Sequence, residues 1–466
     1  MDESEKTAMD ERVPSDYRSY YTVIFTLFYL IEGIHQGIPL IYPLLLMKYQ
    51  AGTYDAAFVM FITSSTSLPW AFKFIVGLIN DKWGSKRFGR RFPFIFFGGL
   101  WCAVWWLIFA GNLQSLSYNT AKVYTELLFF SIMTNIGMAV ADTAIDGLIL
   151  DVTPKIKLGK IQSITWTALM AGSAVGGAVL GYIFIEFDIL WLLFTITGIF
   201  SLLFSILSYY IKENAVDLNV DITEDLKRLF TEKENYKVYG FTFWDSVANP
   251  IVGTIFMYFL LISVGQLDAE DTLLSLASGN LGDLFTEAIF IQIGYGIGVV
   301  LGCYIAGRVA DKNRKKSVAL GYIFYIPTCL VCIFFKGMIL GNIANGFFGF
   351  SYGVMSISGQ TVRGDIAKEH FSDLKSTYFA LLISLSNAGL AFGNFIGGWI
   401  FRFLAVRIPN FDLLTFFVMI FCALTLLLSY GLFRTIKPSY YEFESVLKPE
   451  VREIIIKVDN ENGSED

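Results

Sequence analysis

Charge is scarce in this sequence. Asp, Glu, Lys and Arg make up 16% of its 466 residues, against roughly 25% in an average soluble protein. Few charges with many apolar residues exclude intrinsic disorder. Histidine occurs only at His35 and His370, and cysteine only five times. Cys102, Cys303, Cys329, Cys332 and Cys422 all fall in apolar stretches, where cysteine serves as a small packing residue. Cys329 and Cys332 share a CxxC spacing, but no second pair and no histidine accompanies them, so no metal site is expected. The sequence also shows no nucleotide-binding loop, metal cluster or nucleophile–base set. Neither an enzyme, a cofactor nor a nucleic-acid partner is expected. A basic leader is missing too: residues 1–19 are polar and acidic, and a secretory signal peptide is not expected.

What is abundant is apolar. Hydrophobic residues reach 55% and aromatics 17%, with a mean hydropathy of +0.56. A single soluble core stops growing beyond about 250–300 residues, so an ordinary soluble protein is excluded. The apolar residues come in long runs, which indicates membrane-spanning helices; an outer-membrane barrel would show short alternating segments. Twelve spans are expected, at 20–47, 55–80, 91–111, 122–151, 160–187, 189–212, 237–266, 283–310, 317–336, 338–363, 374–404 and 411–436. The fold class is an all-α membrane protein of two six-helix bundles. They are 20–212 and 237–436, joined by a linker at 213–236, after an N-terminal segment at 1–19 and before a tail at 437–466.

The charges outside the spans give orientation. One set of loops carries Lys82, Lys86, Arg87, Arg90 and Arg91 after span 2, and Lys155, Lys157 and Lys160 after span 4. Arg308, Lys312, Arg314, Lys315 and Lys316 follow span 8, and Arg363, Lys368 and Lys375 follow span 10. The linker adds more. The opposite loops hold five basic residues: Lys48, Lys122, Lys336, Arg402 and Arg407. The positive-inside rule then places both termini in the cytoplasm, and the cell membrane is the expected location.

The halves repeat. Gly77, Asp81 and Lys82 after span 2 recur at the same spacing as Gly307, Asp311 and Lys312 after span 8. Glu32 in span 1 corresponds to Asp245 in span 7, and Asp151 at the end of span 4 to Asp365 after span 10. Parallel six-helix repeats of this kind build one class of secondary transporter. On the doubled signature loop, the sequence resembles the major facilitator superfamily across its membrane region.

A narrower resemblance is to the group of muropeptide permeases, acetyl-coenzyme A transporters and folate–biopterin transporters. It rests on four stretches: Gln36 to Leu40; Phe72 to Asp81 with Phe88 to Arg91; Asp142, Asp146 and Asp151 through Pro154; and Asp245. Two positions depart from that pattern, Ala141 standing for a glutamine and Met170 for an arginine. The resemblance implies a gate built on Gly77, Asp81, Lys82, Arg90, Arg91, Asp151, Gly307, Asp311, Lys312 and Asp365. It also implies contact between the halves through spans 2 and 11 and spans 5 and 8, and a solute path along spans 1, 4, 7 and 10.

Charges inside the spans mark that path independently. Each costs roughly 2.5–3.5 kcal/mol at mid-membrane, so they must face a cavity or each other. The candidates are Glu32, His35, Gln36, Lys73, Asp142, Asp146, Trp244, Asp245 and Asn249. Glu32 and His35 share a face of one helix, and Asp142 and Asp146 share a face of another. Lys73 is placed to pair with one of these aspartates and leave the other to bind a proton. His35 is equally readable as a packing histidine, and Asp151 as a partner of Lys155 or of the loop after span 2. Glycines at every fourth position (Gly172 and Gly176; Gly294, Gly298 and Gly302; Gly389, Gly393 and Gly397) allow close helix approach and let the halves rock.

The expected function is secondary active transport of a small polar solute, anionic or amphipathic, by alternating access. Proton symport, through Glu32, Asp142, Asp146 or Asp245, is the expected coupling, so the partners are a small molecule, the lipid bilayer and H+. The alternatives are an uncoupled facilitator and a non-transporting sensor or scaffold on the same fold.

Overall fold

The computed structural model describes residues 17–42, 66, 68–85, 87–116, 120–154, 157–213, 223–263, 281–371, 374–405, 407–408 and 410–441. The expectations for 1–16, 43–65, 214–222, 264–280 and 442–466 lie outside these residues. Among the described residues the chain is almost wholly helical; the exception is one β-bridge, Ser85 with Gly89.

The long helices of the first half are α1 (Ser19–Gly37), α2 (Lys73–Lys82), α3 (Phe92–Leu116), α4 (Thr120–Val152), α5 (Leu158–Ser173) and α6 (Leu190–Leu207). Those of the second half are α7 (Lys233–Ser263), α8 (Leu281–Lys312), α9 (Arg314–Val331), α10 (Met338–His370), α11 (Lys375–Ala405) and α12 (Phe411–Thr435). Eight of them are long and apolar enough to cross a membrane: α3, α4, α5 with its continuation to Glu186, α6, α8, α9, α11 and α12. The other four, α1, α2, α7 and α10, overlap the expected spans 20–47, 55–80, 237–266 and 338–363 and carry many of the buried charges.

Local chemistry sets several boundaries. Pro39 lacks an N–H, and after Gly37 the chain tightens into a 3-10 turn over Ile38–Ile41. Asn313 alone separates α8 from α9; its side-chain oxygen accepts from the Lys316 N–H at 2.7 Å and caps α9. α5 runs into a π-helical stretch, Ala174–Gly181, where its glycines cluster. A short helix, Thr223–Thr231, lies against the ends of α7 and α10. Arg228 Nη1 donates to the His370 carbonyl at 3.2 Å, and Tyr239 OH donates to the Leu229 carbonyl at 2.8 Å.

The packing repeats when the helix numbers are advanced by six. α1 lies on α5 as α7 lies on α11, α3 on α4 as α9 on α10, and α3 on α6 as α9 on α12. The halves meet where α2 packs on α11 and α5 on α8, the pairs the resemblance implied.

The glycine stripes do a different job from the one expected of them. They join helices within a half rather than across the halves. A Cβ on Gly172 would lie 2.1 Å from the Leu30 carbonyl oxygen of α1, and one on Gly298 2.0 Å from the Gly346 oxygen of α10. Gly389 and Gly393 meet the Phe243 and Val247 oxygens of α7 at 2.2 Å. Between the halves the close approaches use Gly77, whose Cβ would be 2.9 Å from Thr377 Cα, and Gly159 with Gly307.

Gly298→Ala therefore drives a methyl into backbone that has no flexible side chain to move. Overpacking of this kind costs about 1–3 kcal/mol or more. The detergent-solubilised variant is expected to melt well below the parent, whereas Gly253→Ala, with nothing within 4 Å of its Cβ, keeps the parental melting temperature. Equal melting of the two variants would refute the close-contact role.

Candidate functional site

A cavity of about 140 Å³ lies between the halves. Helical spacing explains which side chains reach it. Tyr29, Glu32 and Gln36 form one stripe of α1, and Asp142 and Asp146 one of α4. Tyr352, Ser356, Gln360 and Arg363 form the facing stripe of α10. Trp70 and Lys73 enter from the α2 side, Trp166 and Met170 from α5, Asp245 from α7, and Phe379 and Asn387 from α11.

The first half holds three carboxylates against one ammonium. Lys73 Nζ donates to Asp142 Oδ2 and, at 3.1 Å, to Asp146 Oδ2. The sequence suggests that Lys73 pairs with one aspartate; the structure gives it both. Tyr29 OH donates to Asp146 Oδ1 at 2.5 Å. Gln36 Nε2 donates to Glu32 Oε1 at 2.9 Å, and Glu32 and Asp142 line the same cavity. Lys73 also sits 5.4 Å from the centre of the Trp70 ring, a cation–π contact.

The second half is balanced. Arg363 Nη2 donates to Asp245 Oδ2, and its Nε donates to Thr242 Oγ1 at 3.2 Å. Arg363 is not the loop charge that its place at the end of span 10 suggests. It is 2% exposed and faces the cavity. Its signal was its position three residues after Gln360, on the face that carries Tyr352 and Ser356.

Three of the sequence candidates stand outside the cavity lining. His35 Nδ1 accepts from Trp106 Nε1 at 2.9 Å, which places the ring proton on Nε2, 3.1 Å from Asn135 Oδ1. Trp70 Nε1 donates to the same Asn135 oxygen at 2.5 Å. His35 thus holds Asn135, and Asn135 holds a wall of the cavity. Asn249 Oδ1 accepts from Tyr295 OH at 3.1 Å and Tyr325 OH at 3.4 Å. Trp244 packs edge-on against Phe243 and Phe392.

The signature loops assemble at one end of the bundle. Arg91, fully buried, donates from Nη1 to Asp81 Oδ1 at 2.7 Å and from Nε to Asp151 Oδ2 at 2.9 Å. Arg90 Nη2 reaches Asp151 Oδ2 at 3.3 Å. Asp81 Oδ2 also crosses to the other half, accepting from the backbone N–H and the hydroxyl of Thr377, both at 2.7 Å. It thereby caps the first turn of α11. Lys375 crosses back to Asp151 Oδ1 at 3.3 Å, and Lys368 donates to the Thr153 carbonyl.

The second copy follows the same plan. Arg314 Nε donates to Asp365 Oδ2 at 2.7 Å, and its Nη1 lies 3.4 Å from Asp311 Oδ1. Asp311 Oδ1 accepts from the Gly159 N–H at 3.0 Å, in the first turn of α5. Lys82 and Lys312 are exposed, and the buried arginines hold the signature-loop aspartates. Glu213 joins the first cluster, a residue that the sequence does not mark. Its two oxygens accept the Arg90 and Arg91 backbone N–H groups, each at 2.7 Å. It lies over Gly89, whose φ of +80° favours glycine.

The profile of the Major Facilitator Superfamily matches residues 20–370. The probable folate-biopterin transporter 4 of Arabidopsis thaliana is 24% identical over 425 residues, spanning 76% of this chain and 82% of that protein. The folate-biopterin transporter of Synechocystis sp. PCC 6803 is 25% identical over 420 residues, spanning 86% and 78%. Folate transporter 2 of Plasmodium falciparum is 23% identical over 380 residues, spanning 78% and 76%. Among solved structures, the fucose:proton symporter FucP of E. coli superposes with a TM-score of 0.65 at 13% identity, over 89% of this chain and 99% of that one. A second FucP structure, in the outward conformation, gives 0.65 at 12% identity.

The burial of the Lys73 cluster has a measurable consequence. Removing one partner of a buried pair costs about 3–5 kcal/mol, because the other charge is left uncompensated. Lys73→Met is expected to lower the melting temperature sharply, and Lys73→Met with Asp142→Asn to recover most of the loss. Additive losses in the double variant would show that the pair is not coupled.

Proposed function

The chain belongs to the Major Facilitator Superfamily, and from that premise we propose that it carries a solute of the folate and pterin class by alternating access, coupled to protons. The observation that carries this reading is the cavity between the halves, with three carboxylates and one ammonium on one wall and the Asp245–Arg363 pair on the other. A pterin is flat, polar at its edges and aromatic at its faces. The cavity offers carboxylates and amides for the edges, and Trp70, Trp166, Tyr352 and Phe379 for the faces. The names of the relatives point to the same class.

The cavity volume fits a contracted state. Pockets for ring-sized ligands run to roughly 300–1,000 Å³, well above about 140 Å³. A fused ring is accommodated after the halves part. By the charge rule, the end carrying the signature loops is cytoplasmic, and here it is closed. Opening it requires the contacts between the halves to break: Asp81 with Thr377, Asp311 with Gly159, and Asp151 with Lys375. Each hydrogen bond to a charged group is worth about 1.5–3 kcal/mol, so closure is firm but reversible.

Proton coupling rests on the charge imbalance. Glu32, Asp142 and Asp146 outnumber Lys73 in a low-dielectric wall, and a proton taken up by Asp142 relieves the repulsion among them. Asp142 holds the coupling proton in this reading, while Asp146 stays with Lys73 and Tyr29 and Glu32 stays ionised to meet the solute. A proton crossing about 100 mV releases about 2.3 kcal/mol, enough for roughly 50-fold accumulation.

Proteoliposomes with an imposed pH gradient test the proposal. Folate or biopterin should accumulate against its own gradient. Asp142→Asn should abolish that uphill uptake and spare solute exchange; Asp81→Asn should slow every mode with little loss of expressed protein. Flux indifferent to the pH gradient would indicate an uncoupled facilitator. Tight binding without flux would indicate a sensor.

A further inference from the structure

Several buried side-chain oxygens receive no hydrogen-bond donor from the described residues, and two of them line the central cavity: Glu32 Oε2 and Gln360 Oε1. Their residues are 2% and 3% exposed. An acceptor this deeply buried is unfavourable unless something donates to it. The two come from opposite halves, Glu32 from α1 and Gln360 from α10. The repeat that relates Asp365 to Asp151 relates Gln360 to Asp146 by the same offset, so an amide stands where the other half has a carboxylate.

We propose that Glu32 and Gln360 are the specificity-determining pair for a heterocycle bearing an amino-amidine edge, Glu32 accepting from adjacent N–H groups and Gln360 accepting a further N–H from the other half. The inference rests on the pterin reading and adds which feature of the solute is recognised and by which residues. A carboxylate facing an amino group and a neighbouring ring N–H makes two parallel charge-assisted hydrogen bonds. Replace the amino group by a carbonyl, and the same carboxylate faces an acceptor, which opposes binding. The pair then separates 2-amino rings from their 2-oxo analogues. It also ties binding to the approach of the halves, because a solute that satisfies both acceptors bridges α1 and α10.

The test measures binding to the purified full-length protein by tryptophan fluorescence and thermal shift, with two matched pairs: pterin against lumazine, and guanosine against xanthosine. The parent is expected to prefer the amino member by on the order of 10- to 100-fold. Glu32→Gln and Gln360→Leu should each shrink that preference while keeping a cooperative melt. Should one variant fail to fold, the other, with Gln360→Glu as a conservative companion, still reports the preference. Equal binding of pterin and lumazine, or a preference untouched by both substitutions, overturns the inference and leaves the pterin reading standing. A preference for guanosine with no pterin binding, lost in the variants, overturns the pterin reading and supports the pair. Binding of neither ring system overturns both.

Discussion

A charge inside a hydrocarbon layer persists only with a partner, and in this protein the partners lie on neighbouring helices. Lys73 near the start of α2 joins Asp142 and Asp146 of α4. Arg91 before α3 joins Asp81 of α2 and Asp151 of α4. In the other half Arg363 of α10 joins Asp245 of α7, and Arg314 of α9 joins Asp365 of α10. These contacts are buried and lie within one half, so each half is stitched into a unit. The contacts across the halves are of another kind. Asp81 and Asp311 accept backbone N–H groups at the starts of α11 and α5, and Lys375 reaches Asp151 with 23% of its side chain exposed. Strong pairs within the halves and separable ones between them are what two rocking bodies require.

The two signature-loop clusters show how loosely a repeat binds its details. Asp81, Arg91 and Asp151 form one triad, and Asp311, Arg314 and Asp365 the other. The arginine comes ten residues after the first aspartate in one half and three in the other. In the first half a turn closed by the Ser85–Gly89 bridge, and clamped by Glu213, swings the arginine back. In the second, only Asn313 intervenes between α8 and α9, and the first residue of α9 already faces Asp311. The preserved quantity is the position of a guanidinium between two carboxylates, and chain length around it is free to vary.

Much of this was legible in the sequence, for physical reasons. Spans follow from apolar run length, and the repeat from Gly77 and Asp81 returning as Gly307 and Asp311. Glu32, Lys73, Asp142, Asp146 and Asp245 stood out because charge in an apolar run is costly. What stayed hidden were partners and depths. Arg363 and Arg314 lie at the ends of apolar runs, where a buried arginine and a loop arginine look alike. Tyr29 and Gln360 are uncharged, and no insertion penalty flags them. The glycine stripes revealed close approach but not to which helix; periodicity gives the face and leaves the neighbour open. His35 was visible as a polar residue in a span, yet its role depends on Trp106 and Asn135, which are far from it in the chain.

The asymmetry of the cavity bears on how the proposed proton coupling is linked to closure. The Asp245–Arg363 wall is neutral as it stands, whereas the Glu32–Asp142–Asp146 wall exceeds its ammonium by two negative charges. When the halves close over the cavity, water leaves and every unbalanced charge there becomes more costly. Closure around an empty, fully ionised wall is thus opposed, and a proton together with a donor-rich solute lowers that opposition from two sides. The proton removes one charge; the solute supplies hydrogen bonds to the carboxylate that remains and to the amide across from it. Neither alone does both. A ligand shifts a conformational equilibrium only by its difference in affinity for the two states, and here that difference arises at the one wall where charge is unpaired. The proposed coupling needs no relay between distant sites, because in it the proton and the solute act on the same few carboxylates.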